Sequence, residues 1–388
     1  MEPLRGRIRP YEWGSRTVIA ELQGRPVPSP QPEAELWLGA HDSDPSTVDR
    51  EGRPVSLLDL IAADPQTVLG APVVERFGPR LPYLLKVLAA EEPLSLQAHP
   101  DAERARQRYA AGDPNYVDPH HKPELLVAAS DFEALCGFRA PEESAQLLRK
   151  LEVPALAPVV SVLEGAGPAG ERLRAATTML LDWPADQRAA LVAAVGSSAC
   201  RSADPDCAFV AGLADRYAGD VGVVVALLLN RVALRPGQAV WMPAGNLHAY
   251  LRGTGIEIMA ASDNVLRGGL TPKRVDVAEL LRVLRFEVLA EPVLRPVEIV
   301  AGAVTWPVPV TDFALYRVTP AGSTAVLPVP GPRVVLCLSG EVTLDDGAGA
   351  FSIGRGESAF GAGTAGPLEI SGDGVAYVAT PGPTWLGN

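Results

Sequence analysis

Residues Gly237 to Lys273 read GQAVWMPAGNLHAYLRGTGIEIMAASDNVLRGGLTPK, and the fold turns on how that stretch is taken. Gly237 is followed after five residues by Pro243, after one more by Gly245, and after two more by His248, in an apolar, strand-like setting. A glycine turn, a proline that cannot donate to a ladder and a second glycine bring the chain back on itself and aim one imidazole inward. Beyond Glu257, Asp263, Arg267, Lys273 and Arg274 sit among small residues and glycines. Charged side chains in a glycine-rich turn beside a buried strand suit recognition of a small anion better than solvation.

Upstream of this stretch, LPYLLKVLAA from Leu81 is an apolar strand interrupted only by Lys86, for which a phosphate or carboxylate partner is expected. In LSLQAHPD from Leu94, strand alternation puts Ser95, Gln97 and His99 on one face and Leu94, Leu96 and Ala98 on the other. In YVDPHHKPELLVA from Tyr116, Glu124 enters an apolar run, and charged residues are seldom buried unless paired or bound to metal. His99, His248, Glu124 and Gln97 together offer two imidazoles, a carboxylate and an amide oxygen. Without a thiolate that set suits Zn²⁺, Fe²⁺ or Mn²⁺, and the ligands alone do not choose.

The rest of the chain reads as a β-rich frame with a helical stretch. YEWGSRTVIAEL from Tyr11 and AELWLGAH from Ala34 have strand length, Ser56 caps a helix over LLDLIAADP, and a second helix runs from Asp101 to Ala111 with Gly112 ending it. From Arg139 to about Gly219, apolar residues recur at three- and four-residue spacing, starting at Pro141 with acidic residues in the first turn. Strand pattern is read again from VGVVVALLLNRVAL at Val221. Beyond Glu287, alternation in FALYRVT, RVVLCLSGEVTL and VAYVAT with glycine turns has the pattern of a sandwich or barrel. His248 is the last histidine, so this region cannot supply an imidazole ligand.

Composition bounds the function. With 388 residues and 47% hydrophobic content, the chain can build two or three real cores. A net charge of -12 with no concentrated basic face argues against nonspecific nucleic-acid binding, while a few local cations can still hold a small anion. The longest apolar run ends at Leu229 and is far shorter than the roughly 20 residues a bilayer span needs. The start, MEPLRGRIRP, carries no apolar signal core, so a cytoplasmic protein with no membrane partner is expected, and a monomer. Cys136, Cys200, Cys207 and Cys337 are too scattered for a disulfide framework and are read as reduced and mostly buried.

The spacing of Gly237, Pro243, Gly245 and His248 resembles the second metal motif of the cupin β-barrels. The segments YEWGS, AELWLGAH, LSLQAHPD, HHKPEL, ALCGF, NLHAYL and SDNVLRGGLTPK, in this order, resemble the type I mannose-6-phosphate isomerase family over about Tyr11 to Val277. The resemblance implies a mainly β fold of two cupin-like jelly-roll barrels with an α-helical insert. The parts are a catalytic barrel at 1–138 and 219–287, the insert at 139–218, and a metal-free cupin-like β-domain at 288–388. It implies one zinc held by Gln97, His99, Glu124 and His248, and mannose 6-phosphate and fructose 6-phosphate as substrates. A pocket of Trp13, Glu35, Lys86, Ser95 and Lys273 is implied, with Lys122, Arg267 and Asp263 as catalytic groups. Two positions depart from the family: His120 stands where Asn is usual and Glu92 where Lys is common. An Fe²⁺ cupin dioxygenase and a non-catalytic sugar-phosphate sensor are the alternatives; the first predicts oxygen consumption, the second binding without turnover.

Overall fold

Alternating buried strands build three antiparallel sheets of eleven, nine and four strands, in a computed structural model that describes residues 1–329 and 331–383. The eleven-stranded sheet is organised around one long strand, His248–Ala260. Its second half pairs with Tyr83–Ala90 on one side and with Glu124–Ala128 on the other. Its first half pairs instead with Phe132–Phe138 and touches Leu96–Ala98 through His248 and Gln97. The exchange of partners happens at Gly253, where φ is +125° and a Cβ would stand 2.6 Å from the Asp131 carbonyl oxygen, so only glycine lets the strand pass.

The chain leaves this sheet at Phe138 and returns at Leu229, which lies opposite Phe138 in the ladder. Between them run the helices Pro141–Lys150, Ala157–Leu163, Ala169–Leu181, Arg188–Ala199 and Pro205–Arg216. Their boundaries follow local chemistry. Pro141 opens the first with Glu142 and Glu143 in its first turn and Arg149 and Lys150 in its last, matching the helix dipole at both ends. Asp204 caps the fifth by accepting from the Asp206 and Cys207 amides. The inward residues of these helices form one core with Leu135, Leu247 and Leu266 from the sheet side and Leu280 of the later helix Val277–Val283.

The nine-stranded sheet contains the strands Ala314–Val318, Arg333–Ser339, Ser358–Gly361 and Val375–Thr380, and it also takes in Glu2–Arg5, Thr47–Arg50 and Arg53–Ser56. Glu2–Arg5 pairs with Ser358–Gly361 on one side and Thr47–Arg50 on the other. A shared apolar core joins the two large sheets, with Tyr83, Leu85, Val127 and Ile258 packed against Trp306, Phe313, Leu336 and Tyr377. The four-stranded sheet closes over a separate small core.

Two segments differ from the sequence reading. Val18–Leu22 is a short helix rather than the end of a strand, because burial of Ile19 and Leu22 three residues apart beats the β preference of Val18 and Ile19. Gly222–Val225 and Ala226–Leu228 are helical turns rather than strand, and only Leu229–Leu234 is extended. Every residue from Val221 to Leu229 is buried, so no polar face exposes the period and the run fits helix or strand equally. Ser56 accepts from the Leu58 and Asp59 amides and Asp101 from the Arg104 amide, as helix caps should. Cys136, Cys207 and Cys337 are buried thiols and Cys200 is an exposed one. Among the described residues no helix is long and apolar enough to cross a membrane.

Candidate metal centre and sugar-phosphate pocket

Three strands and one loop converge on a buried point. Gln97 on Leu96–Ala98 lies between His248 and Arg267 in the ladder, with His248 opposite on one side and Arg267 opposite on the other. His99 follows that strand, and Glu124 opens the next long one, two residues after Lys122. His99, Glu124 and His248 are all buried, and one ligand atom from each lies within 4.8 Å of the others.

The proton positions decide what this triplet can do. His99 Nδ1 donates to the Asn264 carbonyl at 2.7 Å and His248 Nδ1 donates to the Asn246 carbonyl at 3.0 Å. Burial, with help from the nearby Lys122 charge, pushes His99 down to about 4, so its ring is neutral at ordinary pH and Nε2 carries a lone pair. Burial pushes the Glu124 carboxyl up, but the Lys122 ammonium, 3.2 Å away, opposes this and holds it below the usual carboxylate range. Glu124 Oε2 thus faces His99 Nε2 at 3.4 Å and His248 Nε2 at 3.2 Å, lone pair against lone pair. Neither His99 Nε2 nor Glu124 Oε2 has a hydrogen-bond partner. Buried acceptors aimed at one another are costly unless a cation lies between them, and two imidazoles with a carboxylate are a zinc donor set. The Gln97 amide nitrogen lies 3.4 Å from His248 Nε2, and each imidazole is oriented by a backbone carbonyl behind it.

Beside this centre lies a second buried charge cluster. Lys86 is 4% exposed, with Nζ 3.0 Å from Glu257 and 3.7 Å from Glu35, and 5.4 Å from the centroid of the Trp37 ring. Trp37 Nε1 donates to Glu35 at 2.6 Å. Burial would lower Lys86, but the Glu257 and Glu35 carboxylates raise it, so it stays an ammonium. Glu257 is raised by burial, with Lys86 opposing. Glu35, Glu124 and Glu257 against Lys86 and Lys122 leave one negative charge in the buried cluster; a divalent cation would turn it positive, as an anionic substrate requires.

Arg267 is half-buried, is lowered by that burial, and has no ion-pair or hydrogen-bond partner among the described residues. A guanidinium is always charged, so an unpaired one next to Gln97 is an anion receptor in waiting. Trp13 packs at the edge of the core cluster behind the pocket and stacks on Tyr11 at 5.7 Å. The other proposed pocket residues are less engaged. Ser95 is half-exposed immediately before its strand, Asp263 turns a largely exposed carboxylate toward His41 at 3.4 Å, and Lys273 is exposed on a turn whose amide bonds to Thr271. Glu257 was passed over in the sequence, though it stands between Ile256 and Ile258 and meets the criterion that singles out Glu124 and Lys86. Asn264 was also passed over; no sequence signal separates it from a surface asparagine, yet its amide is fully buried and bonded to the loop before Lys122.

A protein from Escherichia coli (strain K12) named mannose-6-phosphate isomerase is 36% identical over 96% of this chain and 98% of its own length. The chain belongs to the mannose-6-phosphate isomerase family. The family model described as phosphomannose isomerase type I, catalytic domain, matches residues 1–141. A mannose-6-phosphate isomerase of Rattus norvegicus is 33% identical over 88% of each chain. Among solved structures, a mutant of phosphomannose isomerase from Salmonella typhimurium superposes with a TM-score of 0.92 at 33% identity, over 99% of this chain and 100% of that one. A mannose 6-phosphate isomerase solved with zinc and yttrium bound matches at a TM-score of 0.90 and 34% identity, again over 99% and 100% of the two chains.

Proposed function

We infer that the chain is a zinc-dependent aldose–ketose isomerase that interconverts D-mannose 6-phosphate and D-fructose 6-phosphate. The observation that carries this is the set of mutually facing lone pairs on His99, Glu124 and His248, flanked by the buried Lys122 and the unpaired Arg267. Gln97, His99, Glu124 and His248 are the proposed ligands of one zinc ion. A bound zinc supplies Lewis-acid stabilisation of negative charge on the sugar oxygens.

The reaction needs the ring opened and a proton moved between C2 and C1. A base removes the C2 proton of the aldehyde form, the electron pair makes the C1–C2 double bond, and O1 gains a proton. Return of a proton to C1 with loss of the O2 proton gives the ketose. Lys122, held 3.2 Å from Glu124, is the proposed proton carrier. Arg267 stays cationic and stabilises the enediolate charge. Asp263, at the rim against His41, is the third proposed catalytic group. Lys86 is fixed between Glu35 and Glu257, which suits it to orient sugar hydroxyls rather than to shuttle protons. Trp13, Ser95 and Lys273 complete the proposed pocket, Ser95 and Lys273 facing the phosphate.

The architecture is proposed as two cupin-like jelly-roll barrels with a helical insert at 139–218. The catalytic barrel is 1–138 with 219–287, and the second is 288–388, of which 330 and 384–388 lie outside the described residues. A cytoplasmic monomer is the proposed state. The test is a coupled assay for fructose 6-phosphate from mannose 6-phosphate on metal-stripped protein, with Zn²⁺ added back. Activity that returns only with metal is expected; full activity after demonstrated metal removal would sink the reading. Oxygen uptake with Fe²⁺ in place of isomerisation would mark the dioxygenase instead.

A further inference from the structure

The loop that carries Lys122 and Glu124 is held from two sides. From one side, Asn264 fixes residues 117–120: its Oδ1 accepts from the Val117 amide at 2.9 Å, and its Nδ2 donates to the Asp118 and His120 carbonyls, each at 2.8 Å. Asp118 adds to this clamp by accepting from Ser262 Oγ at 2.9 Å and from the Asp263 amide at 2.8 Å. None of these bonds reaches past His120. The next residue, His121, is tied from the opposite direction, by a side chain that arrives from far along the chain.

That side chain is Asp312, which is 4% exposed. Its two oxygens lie 3.0 and 3.1 Å from His121 Nε2. A carboxylate only accepts, so Nε2 must carry the proton, and the ring is fixed in one tautomer and one orientation. Asp312 is itself rigidly placed. Its neighbour Phe313 is buried edge-on against Trp241 at 6.2 Å, and Trp241 lies opposite Leu125 in the ladder that carries Glu124. On the other side, the Thr311 carbonyl accepts from the Gly382 amide at 3.1 Å. The region around is charged as well, with Arg80 within the field of Asp312, Asp118 and Asp42, but Arg80 makes no ion pair with any of them. Trp306 and Tyr83 also join the two large sheets, through bonds to the Gly237 carbonyl and to the Pro332 and Ala379 carbonyls. Those bonds hold scaffold to scaffold. The Asp312 contact is the one that ends on the loop bearing the proposed proton carrier.

We propose that Asp312 is a positioning residue of the active site, supplied by the C-terminal β-region: by holding His121 it sets where Lys122 stands relative to Glu124. The inference rests on the isomerase reading of Lys122. It gives the C-terminal region a part in catalysis beyond burying apolar surface, since its carboxylate is what reaches His121 between the Asn264 clamp on one side and, on the other, the Pro123 carbonyl bonded to the Ala260 amide and the ladder that begins at Glu124.

The experiment uses full-length, zinc-loaded protein and compares Asp312→Ala, Asp312→Asn, His121→Gln and the His121→Gln/Asp312→Ala double variant in the coupled isomerase assay, with zinc content measured on each. Asp312→Ala should lose about tenfold or more in kcat, as loss of an orienting partner typically does, with a smaller change in KM and full zinc content. Asp312→Asn, which keeps an acceptor for the Nε2 proton, should recover most of that loss. In the His121→Gln background, Asp312→Ala should cost little more, because the path it acts through is already gone. A kcat within about twofold of the parent for Asp312→Ala, or losses that multiply in the double variant, overturns the inference. Should Asp312→Ala fail to fold, His121→Gln, which removes the same contact from the loop side, decides: a loss that appears only in the melting temperature and leaves kcat unchanged overturns it. An inactive parent protein would overturn the isomerase reading and this inference together; an active parent with unaffected Asp312 variants overturns this inference alone.

Discussion

Arg267 and Lys86 are both cations in the interior of one site, and their surroundings assign them opposite tasks. Lys86 is compensated by two carboxylates within 3.7 Å, so its charge is spent inside the protein. Arg267 has no such partner and is half-buried. An uncompensated, partly desolvated cation costs stability, and proteins retain such groups where a ligand completes them. Arg267→Ala should therefore lower kcat/KM by about 100-fold while leaving the melting temperature unchanged or slightly higher. Paired assay and thermal melts check this; a variant that melts lower and keeps its activity would make Arg267 a structural residue. The same contrast shows what a sequence yields at this scale. Lys86, Glu124 and His248 stand out because each is polar in an apolar run. Glu257 carries the same signal between Ile256 and Ile258, and the glycines and charges that follow it are the louder feature of that stretch. Asp312 and Asn264 give no such signal: their neighbours are polar or mixed, and only the folded chain reveals that both are buried.

Among the elements, strands were more legible than short helices. Tyr83–Ala90, Glu124–Ala128 and the later hairpins follow apolar runs and glycine turns directly. The helical turns at Gly222–Leu228 did not, since a run buried on all sides has no period to read. Their packing is nonetheless specific. Gly222 lies against Gly269 so closely that a Cβ on Gly269 would stand 2.6 Å from the Gly222 Cα, and Gly269 has φ of +136°. Gly269 is the last residue of the strand that carries Arg267. Gly269→Ala should thus cost about 2 kcal/mol or more in urea unfolding, through strain at positive φ and backbone overlap together, and should reduce activity by shifting Arg267. An unchanged unfolding midpoint would mean that the helical turn at Gly222 is free to move away.

On the scale of the molecule, the metal centre links pH to stability. His99 is held near 4 in the folded protein, against about 6.5 for an unperturbed histidine. Between those values the unfolded chain binds a proton that the native one does not, so stability rises with pH across the window and is lost as pH falls from about 6.5 toward about 4. The contribution is about 3 kcal/mol, and because burial lowers His41 and His120 as well, it is measured as the difference between metal-stripped parent and His99→Gln in urea unfolding at several pH values. Identical profiles for the two would mean that His99 titrates alike in the folded and unfolded chains.

The strand Glu2–Arg5 lies in the nine-stranded sheet between Thr47–Arg50 and Ser358–Gly361, and the Leu4 carbonyl accepts from a serine hydroxyl 354 residues away. Synthesis delivers the two sides of that ladder about 350 residues apart. Over that interval the strand has Thr47–Arg50 beside it but not Ser358–Gly361, and stands as an open edge. Closing it joins residues far apart in the chain, a slow step for any polypeptide. The growing protein therefore carries an unsatisfied β-edge until Ser358–Gly361 emerges, and that interval, rather than the mature fold, is where aggregation and the need for chaperones would be concentrated.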